Sequence, residues 1–124
     1  VTASERVTLG DHTIYATALS SLLIPPEVAQ LHGIVRSAQR IVVNVTVLET
    51  NNPAAARVSG TGTNLLAQQL PLEFAEVREQ GAIYYLASII TNEKDTIRFK
   101  LQVLPAGAAK PAALQFERSY FPKE

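Results

Sequence analysis

Residues 41–48 read Ile-Val-Val-Asn-Val-Thr-Val-Leu, and this run limits the folds open to the chain more than any other. Positions 41, 43, 45 and 47 are β-branched and apolar, and a strand places them on one side. The other side, Val42, Asn44, Thr46 and Leu48, is mixed. One apolar and one mixed face describe a half-buried strand of an antiparallel sheet. Such a strand needs partners, and the remaining sequence supplies them.

Residues 7–9 and 12–19 flank Gly10-Asp11, a two-residue hairpin turn whose leading glycine suits a type II′ geometry. In the second arm Ile14, Ala16 and Ala18 face one way, with Tyr15, Thr17 and Leu19 opposite. Asn51-Asn52-Pro53 forms a turn cluster. Residues 54–62 follow as a strand in which Val58 is the sole large apolar residue, and Gly60 and Gly62 suggest an edge or a bulge. Residues 64–69 read as a connection. Leu70, Leu72 and Phe74 alternate with Pro71 and Glu73, an edge pattern because proline cannot donate to a ladder. Glu79-Gln80-Gly81 turns the chain into residues 82–90, apolar on both faces and so expected in the middle of a sheet. Residues 92–95 make the next turn. Ile97, Phe99, Leu101 and Val103 then point in while Arg98, Lys100 and Gln102 point out. A loop over 105–111 leads to a last strand over 112–121, with Leu114, Phe116 and Tyr120 on one face.

The only helix signal lies between the first hairpin and the 41–48 strand. Pro25-Pro26-Glu27 is a helix start: proline at the first turn loses an amide that had no partner, and the glutamate meets the positive end of the dipole. Val28 and Leu31 share a face. Gly33 fits the left-handed position that ends a helix, with Ile34 packing back onto Val28 or Ala29 and His32 in the last turn. Two turns of helix make a plug at the end of a sheet and not a layer. The whole chain, residues 1–124, therefore reads as one all-β domain: an immunoglobulin-like two-sheet antiparallel sandwich of seven or eight strands with a short helix near residues 26–32. Cysteine and tryptophan are absent, so the likeness is one of architecture.

Composition excludes several classes of function. Eleven basic and eleven acidic residues cancel without any run of like charge, so nothing resembles the basic stripe that neutralises nucleic-acid phosphates. Apolar runs fall far short of the ~20 residues of a spanning helix. Without cysteine neither a disulfide framework nor a thiolate metal site can form. The chain opens Val1-Thr2-Ala3-Ser4 and holds no methionine, which points to a processing boundary behind a removed signal peptide and to a periplasmic or secreted protein.

The stretch Leu-Ile-Pro-Pro-Glu-Val-Ala-Gln-Leu-His-Gly-Ile-Val-Arg-Ser-Ala-Gln-Arg over 23–40, with Gly-Thr-Asn-Leu-Leu-Ala-Gln over 62–68 and Ala-Ile-Tyr-Tyr-Leu-Ala over 82–87, resembles domain-of-unknown-function family 4426. These are small exported proteobacterial proteins, and the resemblance spans roughly Leu9 to Phe121. The sequence departs from the pattern with Leu65-Leu66-Ala67 where a glycine is expected near the glutamine, and with Ala16 and Ala18 around Thr17 in a usually more polar arm. The resemblance implies an exported β-rich domain without an assigned activity. It supplies no catalytic residues.

Candidate chemistry is sparse. Ser37 with His32 is the nearest approach to a nucleophile and base, and a small serine hydrolase completed by Asp11, Asp95 or a glutamate is the least favoured expectation, because no Gly-x-Ser-x-Gly elbow surrounds the serine; the plainer reading gives the serine a turn role and the histidine a cap role. Asp11, His12 and His32 are too few for a usual zinc set. Glu73 and Glu76 lie three apart, which on a strand separates them to opposite faces, unlike the paired carboxylates of glycosidases. Asn44-Val45-Thr46 is a glycosylation sequon in form only, being mid-strand. Arg36, Arg40 and Asn44, with Tyr15 or Tyr84 beside them across the sheet, make the one polar group with a ligand chemistry, since guanidinium forks hold carboxylate or phosphate. The plain alternative pairs Arg36 and Arg40 with Glu27 and Glu49. Catalytic residues, metals and cofactors are thus expected to be none. The leading expectation is a non-enzymatic binding or assembly role in the cell envelope, toward a protein or a small anionic ligand, through an apolar or arginine-lined patch beside residues 25–40. A second is an inhibitor or adhesion module whose turns at 51–53, 60–64 and 105–111 cluster at one end. Exposed edge strands could also pair two copies.

Overall fold

The computed structural model describes residues 3–91 and 95–120. It is a sandwich of two antiparallel sheets. The first runs in the order β1 (Ala3–Leu9), β2 (His12–Ser20), β3 (Arg40–Glu49), β8 (Ala82–Ile90), β7 (Ala75–Glu79), with the two-residue β4 (Asn52–Pro53) off the end of β3. The second runs β10 (Ala112–Tyr120), β9 (Asp95–Pro105), β5 (Ala56–Thr63), β6 (Gln69–Leu72). Ten strands replace the expected seven or eight: the additions are β4 and β7. The turn expected over 92–95 falls, for residues 92–94, outside the described residues.

Alternation builds the core as the strand patterns require. Ile14, Ala16 and Ala18 of β2 and Ile41, Val43, Val45 and Val47 of β3 are wholly buried, facing Ile97, Phe99, Leu101 and Val103 of β9. Phe99 and Phe116 stack with ring centroids 5.1 Å apart. Tyr85 crosses between the sheets, its hydroxyl accepting from Ala56 N–H at 2.9 Å. Arg118 lies on the same face of β10 as Leu114 and is 2% exposed, a buried cation that the apolar pattern of this strand did not signal.

The glycines of β5 do not mark an edge. β5 lies between β9 and β6, and a Cβ at Gly60 would come within 2.6 Å of Lys100 O. The missing side chain is what lets the neighbouring strand approach.

On one side the sandwich closes where β1 lies beside β10. On the other, the two open edges are β6 and β7, and both are defended. β6 carries Pro71, and β7 pairs Glu76 and Arg78 with Tyr85 and Ile83, putting charges on the core-facing side of an edge strand. These two charges bond each other at 2.8 Å, and Glu73 precedes β7 outside any strand.

Candidate functional site

Residues 21–37 leave the end of β2, cross the outer face of the larger sheet as a strap, and return to β3. The base of the strap is sewn by one buried serine. Ser21 Oγ donates to Ser37 O and accepts from Ser37 N–H, each at 2.9 Å. Arg36 adds a second stitch, its Nε donating to Ile24 O at 2.8 Å and its Nη2 to Leu22 O at 3.0 Å.

The middle of the strap is α1 (Pro26–Leu31). Its end is a Schellman motif: Ile34 N–H reaches Ala29 O at 2.8 Å and Gly33 N–H reaches Gln30 O, with Gly33 at φ 69°. Val28 and Leu31, expected to share a face, are both largely exposed, Val28 at 41%. Ala29 is buried, whereas Leu31 is 70% exposed. Far from its base the strap is held by His32, whose Nε2 lies 3.0 Å from Glu79 Oε2 at the end of β7.

Removing the stitch should loosen the strap and leave the sandwich intact. Ser21→Ala leaves the Ser37 amide and carbonyl without their partner, a cost of about 1–3 kcal/mol confined to this segment. Hydrogen exchange followed by mass spectrometry is expected to speed up over residues 22–36, with β3 and β9 unchanged. Equal acceleration in β9 would mean that the strap and the core open together.

Beneath the strap lies a cavity of about 390 Å³. Its floor is the outer face of the sheet (Leu19, Val42, Val77, Leu86), and its roof is Ile24, Val28 and Ile34. Asn44 and Tyr84 line it within the sheet, and His32, Glu79 and Gln80 line it where the strap meets the end of β7. The roof buries Val42, which is 1% exposed although it projects away from the core. Asn44 Oδ1 is buried without a hydrogen-bond partner. A larger hollow, about 580 Å³, lies over Gly60 on the outer face of the smaller sheet. It is lined by β5, β9 and β10 alone, so nothing roofs it.

The expected polar group is divided by this arrangement. Asn44 and Tyr84 enter the cavity. Arg36 is committed to the Leu22 and Ile24 carbonyls, and Arg40 Nη1 donates to Ser88 Oγ at 3.0 Å while its Nε is buried without a partner. Neither arginine pairs with Glu27 or Glu49; Glu49 instead lies 3.5 Å from His12. Tyr15 stands elsewhere on the outer face, 39% exposed, with the Arg6 guanidinium 5.8 Å from its ring. Ser37 Oγ accepts from Gln39 N–H, so serine and His32 serve different partners. Among the described residues no group of three His, Cys, Asp or Glu side chains could hold a metal ion, and no helix is long and apolar enough to cross a membrane.

The turns expected to gather at one end do not. Residues 106–108 stand beside Ala55, at the end where β4 pairs with β3. The turn over 64–68 follows Thr63, at the far end of β5. Asn64 organises that turn, its Oδ1 accepting from Leu66 N–H and Gln68 N–H.

The strap with its proline start and glycine stop, the Asn64 turn and the β8 run are the segments that carried the family resemblance. The family model for the domain of unknown function DUF4426 matches residues 6–123. The chain belongs to the DUF4426 family. The crystal structure of a DUF4426 family protein from Pseudomonas aeruginosa is similar over 98% of this chain and 97% of that one, at 32% identity and a TM-score of 0.85. FetP of uropathogenic Escherichia coli has the same fold at 14% identity. A copper-bound variant of it covers 96% of this chain and 95% of its own at a TM-score of 0.64. FetP isolated after expression in the E. coli periplasm covers 98% and 97% at 0.63. No curated protein matches the sequence.

Most of the DUF4426 cavity was missed in the sequence because its residues belong to two patterns. Leu19, Val42 and Leu86 are apolar residues at outward positions of three strands, and a mixed outer face does not say what covers it. Ile24, Val28 and Ile34 belong to a strap whose path over the sheet is tertiary. The available signal was Val42 and Leu86, each apolar on the face opposite the core.

Proposed function

We propose that this DUF4426 protein is a non-enzymatic ligand-binding module of the bacterial cell envelope, and that its ligand occupies the cavity beneath the strap. The observation that carries this reading is the roofed cavity itself. At about 390 Å³ it falls within the ~300–1,000 Å³ range of small-molecule sites, and it has their usual make-up of apolar walls with a few polar groups. The strap that covers it is tied at its base and held farther out by a His–Glu contact, a suitable arrangement for a lid. An envelope location is supported by the fold shared with FetP, which was produced in the periplasm, and by the absence of cysteine. Copper, which a FetP variant binds, finds no counterpart cluster among the described residues, so the reading favours an organic ligand.

The neutral dye N-phenylnaphthylamine tests the cavity directly. Its emission is expected to rise and shift to the blue on mixing with the protein. Ala82→Trp, which directs a large ring into the cavity from a half-buried position, is expected to abolish that rise while leaving the unfolding midpoint in place. A dye response equal in the two proteins would assign the dye to another surface and remove this reading.

A further inference from the structure

We infer that the ligand of this cavity is a neutral amphipath, an aliphatic body ending in a hydroxyl or amide N–H that donates to Asn44. The inference rests on the cavity reading above and adds the chemistry of the occupant. Its first ground is Asn44 Oδ1, a buried acceptor that no group of the protein satisfies. An unpaired buried amide oxygen is costly, and such sites in native proteins call for a partner. The terminal torsion of asparagine is soft, so the amide can turn its oxygen into the cavity that the residue lines.

The second ground is position. Asn44 pairs across with Leu86, whereas Val77 pairs with Tyr84 and Glu79 with Ala82. From the Asn44 row to the Glu79 row is four residues of strand, about 13 Å. The Glu79 row therefore stands well away from the Asn44 row, with Val77 and the ring of Tyr84 between them. A long, mostly apolar molecule with one polar head fits that spacing.

The third ground is charge. Among the lining residues the acid is Glu79, none is arginine or lysine, and the one histidine, His32, is held by Glu79 at 3.0 Å. A carboxylate or phosphate head would be desolvated beside an acceptor with no cation to receive it. The anionic ligand expected from Arg36 and Arg40 is thereby disfavoured at this site, because both arginines are used elsewhere.

Competition against bound N-phenylnaphthylamine separates the alternatives with three molecules of equal chain length. Decanol should displace the dye best. Methyl decyl ether, which lacks the O–H, and decanoate, which carries a charge, should each be weaker by about tenfold. Asn44→Leu should bring decanol down to the level of the ether and leave the ether unchanged, a result that general loosening of the fold would not give. Ether or decanoate competing as well as decanol in the wild-type protein would overturn the inference and leave the cavity reading intact. So would unchanged decanol potency in Asn44→Leu. No dye response in the wild-type protein would remove both. The wild-type series decides the matter even where the Asn44 variant does not fold.

Discussion

Phe99→Ala is expected to lower the unfolding free energy by about 3–5 kcal/mol, the range for deleting a buried aromatic ring. The ring is fully buried near the middle of β9 and stacks against Phe116 at 5.1 Å. Its partner across on β5 is Gly62, which has no side chain to move into the space. The ring also covers that glycine, with Phe99 Cε1 3.5 Å from where a Cβ would stand. A void at this point therefore cannot collapse from the β5 side, which places the cost at the upper part of the range. The check is urea unfolding of the variant, with a midpoint shift at constant slope. A loss under about 1 kcal/mol would mean that the Phe116 side of the core refills the space.

Gly60→Ala is expected to cost about 1–3 kcal/mol although it adds a single methyl group. The new Cβ would meet Leu101 Cδ2 at 2.5 Å and Lys100 O at 2.6 Å. The second contact is backbone, so relief requires β5 and β9 to separate where Gly60 pairs with Leu101. Gly62→Ala makes the informative control. Its nearest atoms are side-chain methyls, Ile97 Cγ2 at 3.0 Å and Ile89 Cδ1 at 3.3 Å, so relief there does not require the strands to part. Thermal or urea unfolding should rank Gly60→Ala clearly below Gly62→Ala. The reverse order would show that the β5–β9 approach tolerates widening. The same pair of glycines corrects the edge expected from the sequence. Glycine in a strand has two uses, weak pairing and close approach, and only the neighbouring strand distinguishes them.

The site divides between legible and illegible parts in a similar way. Pro26, Glu27, Gly33 and Ile34 announced the helix and its ending because caps act over a few residues of one chain. Asn44 and Tyr84 stood out as polar and aromatic groups near the strap, and both line the cavity. Arg36 and Arg40 stood out equally, and their roles were not readable. Arg36 binds two carbonyls of its own strap, and Arg40 binds Ser88 on the strand beside β3. Backbone carbonyls are present at every residue, so no pattern of acidic side chains could have announced the first. The core position of Arg118 was hidden for a related reason: parity places it inward, but residue type argues for solvent.

What the sequence determined by itself is local and periodic. A period of two in residues 41–48 and 96–104, turns at Gly10 and Gly81, and one capped helix suffice for an all-β chain folded into two antiparallel sheets, because each follows from the geometry of a few consecutive residues. The tertiary structure alone decided that β5 is internal, that β7 exists as a short charged edge, and that residues 21–37 cross over Val42 and Asn44 to roof a cavity. These outcomes depend on which distant surfaces meet. That choice is made by burying apolar area over the whole chain, and no single stretch of sequence records it.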